Sequence, residues 1–214
     1  MFEDRKDAGK KLAVSLKKYK NQEVLVLAIP KGGVEAAYQV AKYLNADFSL
    51  LISRKLPYPD NPEAGFGAIA EDESTFVIKE AGKWLPKEQI DQIKSEQMQE
   101  IKRRIKVLRK NKPLPKISGK IVILIDDGLA MGSTMRAAIL LCKKEKAKKI
   151  IVAVPVAGKN VAKEIEKIVD ELIVLEKPDF FQAVAQVYRN WYDVSDQEVI
   201  SIMKKFKKIN HDHE

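Results

Sequence analysis

The sequence predicts an α/β protein built on a doubly wound, mainly parallel sheet. Apolar runs at 24–29 (VLVLAI), 48–53, 121–125 (IVILI), 149–154 and 171–175 have the near-continuous hydrophobicity of strands buried on both faces. Stretches of helical period alternate with them, the pattern that crossover helices produce. Unusual small-residue turns follow three of the runs, where such sheets bind their ligands.

Each element follows in chain order. Residues 5–19 read as a helix with Leu12 and Leu16 on one face. VLVLAI is a buried strand; Pro30, Lys31, Gly32 and Gly33 form a turn, and 34–44 (VEAAYQVAKYL) resumes a helix. The second strand spans 48–53. Residues 54–66, RKLPYPDNPEAGF, contain three prolines and read as a surface loop, with strand-like pieces at 67–71 and 75–79. A long polar helix is expected over 86–110. Its narrow apolar stripe of Ile90, Ile93, Met98, Ile101, Ile105 and Leu108 should pack on the core, a dimer seam being the alternative. KPLPK (112–116) is a connector. Strands at 121–125, 149–154 and 171–175 are separated by helices near 133–147 and 159–169.

Composition narrows the class. At 214 residues and 45% apolar content, the chain can form one large domain or a core with a small appendage. Its apolar stretches are too short to span a bilayer. The opening MFEDRKDAGKK is charged, without an apolar signal region, so a cytoplasmic protein with no membrane association is expected. The single cysteine, Cys142, excludes an internal disulfide framework and a zinc site of several thiolates, and reads as a buried bystander. The net charge of +9 gathers in basic runs at 102–112, 143–149 and 204–208. Such runs bind nucleic acid, steer polyanionic substrates, or simply solvate the surface. No stack of aromatics interleaves with them, which argues against a nucleic-acid partner.

The three turns are PKGG (30–33), DDGLAMGST (126–134) and PVAGKN (155–160), and they should converge on one sheet edge. In the second, Gly128 and Gly132 permit tight turning, while Ser133 and Thr134 can cap the next helix. Backbone amides from Leu129 to Thr134 would surround a phosphate at that helix start. The lysine of a phosphate P-loop is missing after the last glycine, and GxGxxG is absent too. Asp126 and Asp127 could hold magnesium in a receiver or phosphohydrolase, but the further acids or nucleophile those need are not found. As acceptors of hydrogen bonds, paired carboxylates instead suit a vicinal diol. A ribose 5-phosphate presents such a diol beside its phosphate.

At this point the run IVILIDDGLAMGSTMRAA resembles the phosphoribosyl diphosphate signature of type I phosphoribosyltransferases, and is similar to the loop of adenine phosphoribosyltransferases. IPKGGVEAAYQVAKYL, RKLPYPDNPEAGFGAIAED and FFQAVAQVYRNWYDVSDQEV resemble segments of a phosphoribosyltransferase subfamily of unassigned substrate. The resemblance implies a core over 1–176, including an inserted loop and helix at 56–116, with a small hood segment and helix at 177–214. It implies transfer of the phosphoribosyl group to a nucleobase-like nitrogen acceptor, with Mg2+ bound mainly through the substrate, in a homodimer. A non-catalytic regulator sensing phosphoribosyl diphosphate or nucleotide is the alternative.

By position, Asp126 and Asp127 would hold the ribose hydroxyls and Leu129, Ala130, Met131, Gly132, Ser133 and Thr134 the 5-phosphate, with Gly128 also among the substrate-binding residues. Lys31, Gly32 and Gly33 match the pyrophosphate loop, where family members often have a cis peptide. Arg54 and Lys55 would neutralise the leaving pyrophosphate; together with the aspartates they are the candidate catalytic residues. Residues 56–66 would form a lid, with Asp60 and Glu63 its only carboxylates. Two departures concern specificity. Met131 stands where many relatives have threonine, removing one hydroxyl donor. Ala130 stands where hypoxanthine and guanine enzymes usually have aspartate. The aromatics Phe180, Phe181, Tyr188, Trp191 and Tyr192 are read mainly as packing of a small lobe, and His211 and His213 as parts of a polar tail.

Overall fold

A computed structural model of the protein describes residues 1–80, 83 and 85–211; His213 lies outside them. In chain order the elements are α1 (Arg5–Ser15), β1 (Val24–Ala28), α2 (Gly33–Leu44), β2 (Asp47–Leu50), β3 (Ser53–Tyr58), β4 (Asn61–Ala70), β5 (Thr75–Val77), α3 (Lys87–Arg109), β6 (Ile121–Ile125), α4 (Ser133–Lys144), β7 (Lys149–Val156), α5 (Lys159–Glu166), β8 (Glu171–Glu176) and α6 (Asp196–His211).

Five strands form a parallel sheet in the order β2-β1-β6-β7-β8. Alternate side chains along each strand point to opposite faces. Val24, Val26, Ala28, Ile123 and Ile125 therefore enter a core shared with α1, α2, α3 and α6. Leu25, Leu27, Val122, Leu124, Val152 and Val154 face the other way, among side chains of α4 and α5. Both faces are covered, as the unbroken apolar runs require. In α3, Ile93, Ile101 and Leu108 are buried in the first core while Ile90, Met98 and Ile105 pack against it, so the stripe is core-facing. Cys142 is buried in the second, where burial pushes its thiol up to about 12. Among the described residues no helix is long and apolar enough to cross a membrane.

The proline-rich stretch departs from expectation. Instead of a loop, 53–70 is an antiparallel hairpin, β3 with β4, to which β5 adds a third strand. The register shifts on either side of Pro57, and bulges of this kind tolerate a residue without an amide proton. The expected single strand at 48–53 is also two. Beyond Leu50 the chain leaves the parallel sheet and enters the hairpin sheet at Ser53.

That switch is clamped by a buried ion pair. Arg109 of α3 donates from Nη1 and Nη2 to the Glu71 carboxylate at 2.8 and 2.5 Å, and Nη1 also reaches the Leu50 carbonyl at 2.9 Å. Glu71 in turn accepts the Ile52 amide at 3.0 Å.

Candidate active site

The carboxyl ends of β1, β6 and β7 bring the three turns together. At the first, the Pro30–Lys31 peptide is cis. The Ile29 amide donates to the Ile125 carbonyl at 2.9 Å, tying this turn to β6. Gly33 then lies so near β6 that a Cβ would fall 2.6 Å from the Ile125 carbonyl oxygen and 2.7 Å from Asp126 Cα. Among the described residues, the Lys31 and Gly32 amides donate to no protein acceptor. Lys31 Nζ lies 3.9 Å from Asp196 Oδ1, at the start of α6.

The acid pair sits directly beside this turn. The Asp127 amide donates to Asp126 Oδ1 at 2.8 Å, which locks the two residues' relative orientation. Burial, then the neighbouring Asp127 charge, raises the Asp126 carboxyl well above the usual carboxylate range. Asp127 has a cation of its own: Arg5 Nε donates to its Oδ2 at 2.8 Å. The Tyr188 hydroxyl donates to the Asp127 backbone carbonyl at 2.7 Å. Burial, and then the Asp127 charge, raises that hydroxyl's pKa, so it stays a donor.

Beyond the acids, Leu129 is an anchor. Its amide donates to the Val156 carbonyl at 2.9 Å, its carbonyl accepts the Gly158 amide at 3.3 Å, and its side chain is buried. Its amide is therefore not free to meet an anion, and the free run begins at Ala130. The amides of Ala130, Met131, Gly132, Ser133 and Thr134 donate to no protein acceptor among the described residues. Gly132 takes φ +70° to open α4 and no side chain caps the helix, contrary to the capping expected of Ser133 and Thr134. The positive end of α4 is thus left to the solvent side of the loop.

This loop forms one wall of a cavity of about 630 Å³. Gly128 to Thr134 line it from one side. The hairpin closes it from another, through Lys55, Tyr58, Glu63, Ala64 and Gly65, with Ile78, Glu80 and Val184 completing the lining. The acid pair and the PKGG turn are not part of that lining.

The basic pair expected to act together is divided. Alternation along β3 puts Lys55 on the cavity, where its Nζ donates to the Glu63 carbonyl at 2.5 Å. Arg54 points the other way, its Nε donating to Gln97 of α3 at 3.1 Å. Burial, then the nearby Arg104 charge, lowers the Arg54 pKa. Glu63 lines the cavity; Asp60 sits at the hairpin's turn and does not. Met131 is 66% exposed at the loop's tip. Among the described residues, no group of three or more His, Cys, Asp or Glu is arranged to hold a metal.

Sequence reasoning missed Arg5. It lies in an ordinary-looking helix start 122 positions before its partner, and no local signal separates it from the surrounding surface cations. Tyr188 and Trp191 were visible only as part of an aromatic cluster. Their polar duties depend on Asp127 and Arg5, which only the fold brings near.

Comparison with known proteins gives the chain's family. Residues 2–190 match the phosphoribosyl transferase domain family, and the chain belongs to that family. Two Mycobacterium tuberculosis proteins that are provisionally named phosphoribosyl transferases, MT0597 and Rv0571c, are each 35% identical over 207 residues. That alignment covers 96% of this chain and 47% of each relative, so the chain spans about half their length. The crystal structure of TT1426 from Thermus thermophilus superposes with a TM-score of 0.81 at 30% identity, covering 96% of this chain and 99% of that one.

Proposed function

We propose that the protein transfers the 5-phosphoribosyl group of phosphoribosyl diphosphate to a nucleobase-like nitrogen acceptor, releasing pyrophosphate. The observation that carries this reading is the run of free amides from Ala130 to Thr134 beginning three residues after the acid pair. The amides and the helix dipole suit a 5-phosphate, while Asp126 beside them offers acceptors to the ribose hydroxyls. The free amides of Lys31 and Gly32 suit the pyrophosphate.

In the reaction the bond from the anomeric carbon to the pyrophosphate oxygen breaks, and a bond from the acceptor nitrogen forms as that nitrogen loses its proton. Positive charge develops on the sugar and negative charge on the leaving group. Lys55 is placed to stabilise an anion in the cavity, and Arg54, engaged with Gln97, is not proposed to take part. The hairpin strands β3 and β4 cover the cavity and would keep water from the cationic sugar. Of the two carboxylates in the same lining, Glu80 pairs with Lys83, which leaves Glu63 to receive the acceptor's proton. Magnesium entering with the substrate would offset its charge. A donor set of two carboxylates, one already paired with Arg5, fits such substrate-borne binding better than a dedicated protein site.

The test is pyrophosphate release from phosphoribosyl diphosphate across a panel of nucleobases. Wild type should release pyrophosphate with at least one base and Asp126→Asn should not. Binding of phosphoribosyl diphosphate without release on any base would instead support a non-catalytic sensor.

A further inference from the structure

Arg5 is the first residue of α1, yet it is only 5% exposed. Its guanidinium is held from several sides. Nε meets Asp127 Oδ2 at 2.8 Å, Nη1 meets the Tyr192 carbonyl at 2.9 Å, and the group lies 3.9 Å over the Trp191 ring. It is also the charge that an adjacent carboxylate pair requires. Two partly buried acids in contact cannot both ionise cheaply, and a paired cation relieves one of them. The same Asp127 Oδ2 faces Gly32 of the pyrophosphate-side turn. Arg5 therefore links three separate pieces of chain: the first helix, the 188–192 segment and the β6 loop.

We propose that Arg5 is a positioning residue for the phosphoribosyl site, holding the Asp127 carboxylate fixed against the PKGG turn so that Asp126 and the phosphate loop are presented to the ligand. The proposal rests on the function proposed above. It assigns Asp127 chiefly to organising the site and leaves Asp126 as the carboxylate open to the ribose. Trp191 acquires a purpose in the same arrangement: a cation stacked on an aromatic face is held in one orientation without a second acid to compete for it.

The experiment is a double-mutant cycle read by calorimetric titration of phosphoribosyl diphosphate with magnesium, on Arg5→Gln, Arg5→Lys, Asp127→Asn and the Arg5→Gln/Asp127→Asn pair. Arg5→Gln should weaken binding about tenfold or more by leaving Asp127 unpaired. Arg5→Lys, which keeps the charge but not the geometry, should recover part of the loss and also serves should the glutamine variant misfold. In the Asp127→Asn background, Arg5→Gln should change affinity by less than about twofold, because its target is gone. A purely structural arginine would lower the melting temperature and weaken binding equally in both backgrounds, which would overturn the proposal. So would wild-type affinity in Arg5→Gln. If the wild-type protein binds no phosphoribosyl diphosphate, the functional reading itself fails, an outcome distinct from either of these.

Discussion

Gly32 and Asp127 meet across two loops with no room between them: a Cβ on Gly32 would fall 1.9 Å from Asp127 Oδ2. The neighbouring Gly33 is also tight, but against the backbone of β6 and its continuation, at 2.6 and 2.7 Å. A carboxylate can swing aside, whereas a strand cannot. Gly32→Ala should therefore weaken phosphoribosyl diphosphate binding about tenfold, by pushing Asp127 Oδ2 off Arg5. Gly33→Ala should cost about 1–3 kcal/mol, as overpacking does. Melting curves and calorimetric titration of both variants check the contrast; wild-type affinity in Gly32→Ala would refute it.

The two cations of β3 should separate cleanly in kinetics. Lys55→Ala removes the charge that lines the cavity and should lower kcat/KM for phosphoribosyl diphosphate by about tenfold to a hundredfold. Arg54→Ala breaks a bond to Gln97 and should leave kcat/KM within about threefold while lowering stability modestly. Equal losses in the two variants would place Arg54 in the reaction after all.

That division shows what could be read in the chain and what could not. The IVILI run coincides with β6, because a strand buried on both faces needs nothing but apolar residues and is bounded by its own ends. The site's location at the carboxyl edge followed from the turns after β1, β6 and β7. The hairpin was hidden because prolines normally speak against strands, and only its irregular register accommodates Pro57. Once 54–66 is taken for a loop, nothing assigns Arg54 and Lys55 to opposite faces. Arg5 and Leu129 were misjudged or missed for a related reason: each is defined by a partner, Asp127 or Val156, that sequence does not place beside it.

Asp126 should trade stability for function. Its carboxyl pKa is raised in the folded protein, so the folded state holds the proton more tightly than the unfolded chain does. The ionised form therefore costs stability, a cost present above the folded pKa and relieved as pH falls through it. Asp126→Asn should raise the melting temperature by about 2–4 °C near pH 8, corresponding to ~1 kcal/mol for a chain of this size. The gain should shrink as the pH is lowered through the raised folded pKa, and phosphoribosyl diphosphate binding should fall at every pH. Thermal melts across pH decide it; a gain that grows on acidification would contradict the assignment.

The Arg109–Glu71 clamp should behave as a buried pair. Both side chains are under a tenth exposed. Removing one partner strands the other's charge and typically costs about 3–5 kcal/mol. Arg109→Met and Glu71→Gln should each lower the melting temperature by roughly 6–20 °C. The double change to Met and Leu should recover much of that loss, since an apolar pair leaves no charge unpaired. Differential scanning calorimetry of the three variants tests this expectation.

Cys142 offers a clock for the fold's opening. It is the chain's sole thiol, it lies on α4, the helix that begins at the end of the 126–134 loop, and burial holds it protonated far above neutral pH. A thiol reagent can reach it only when α4 parts from the sheet, so its labelling rate counts those partings directly. Slower labelling with phosphoribosyl diphosphate present would report, at one atom, that a ligand on the helix's first turn holds the whole helix in place.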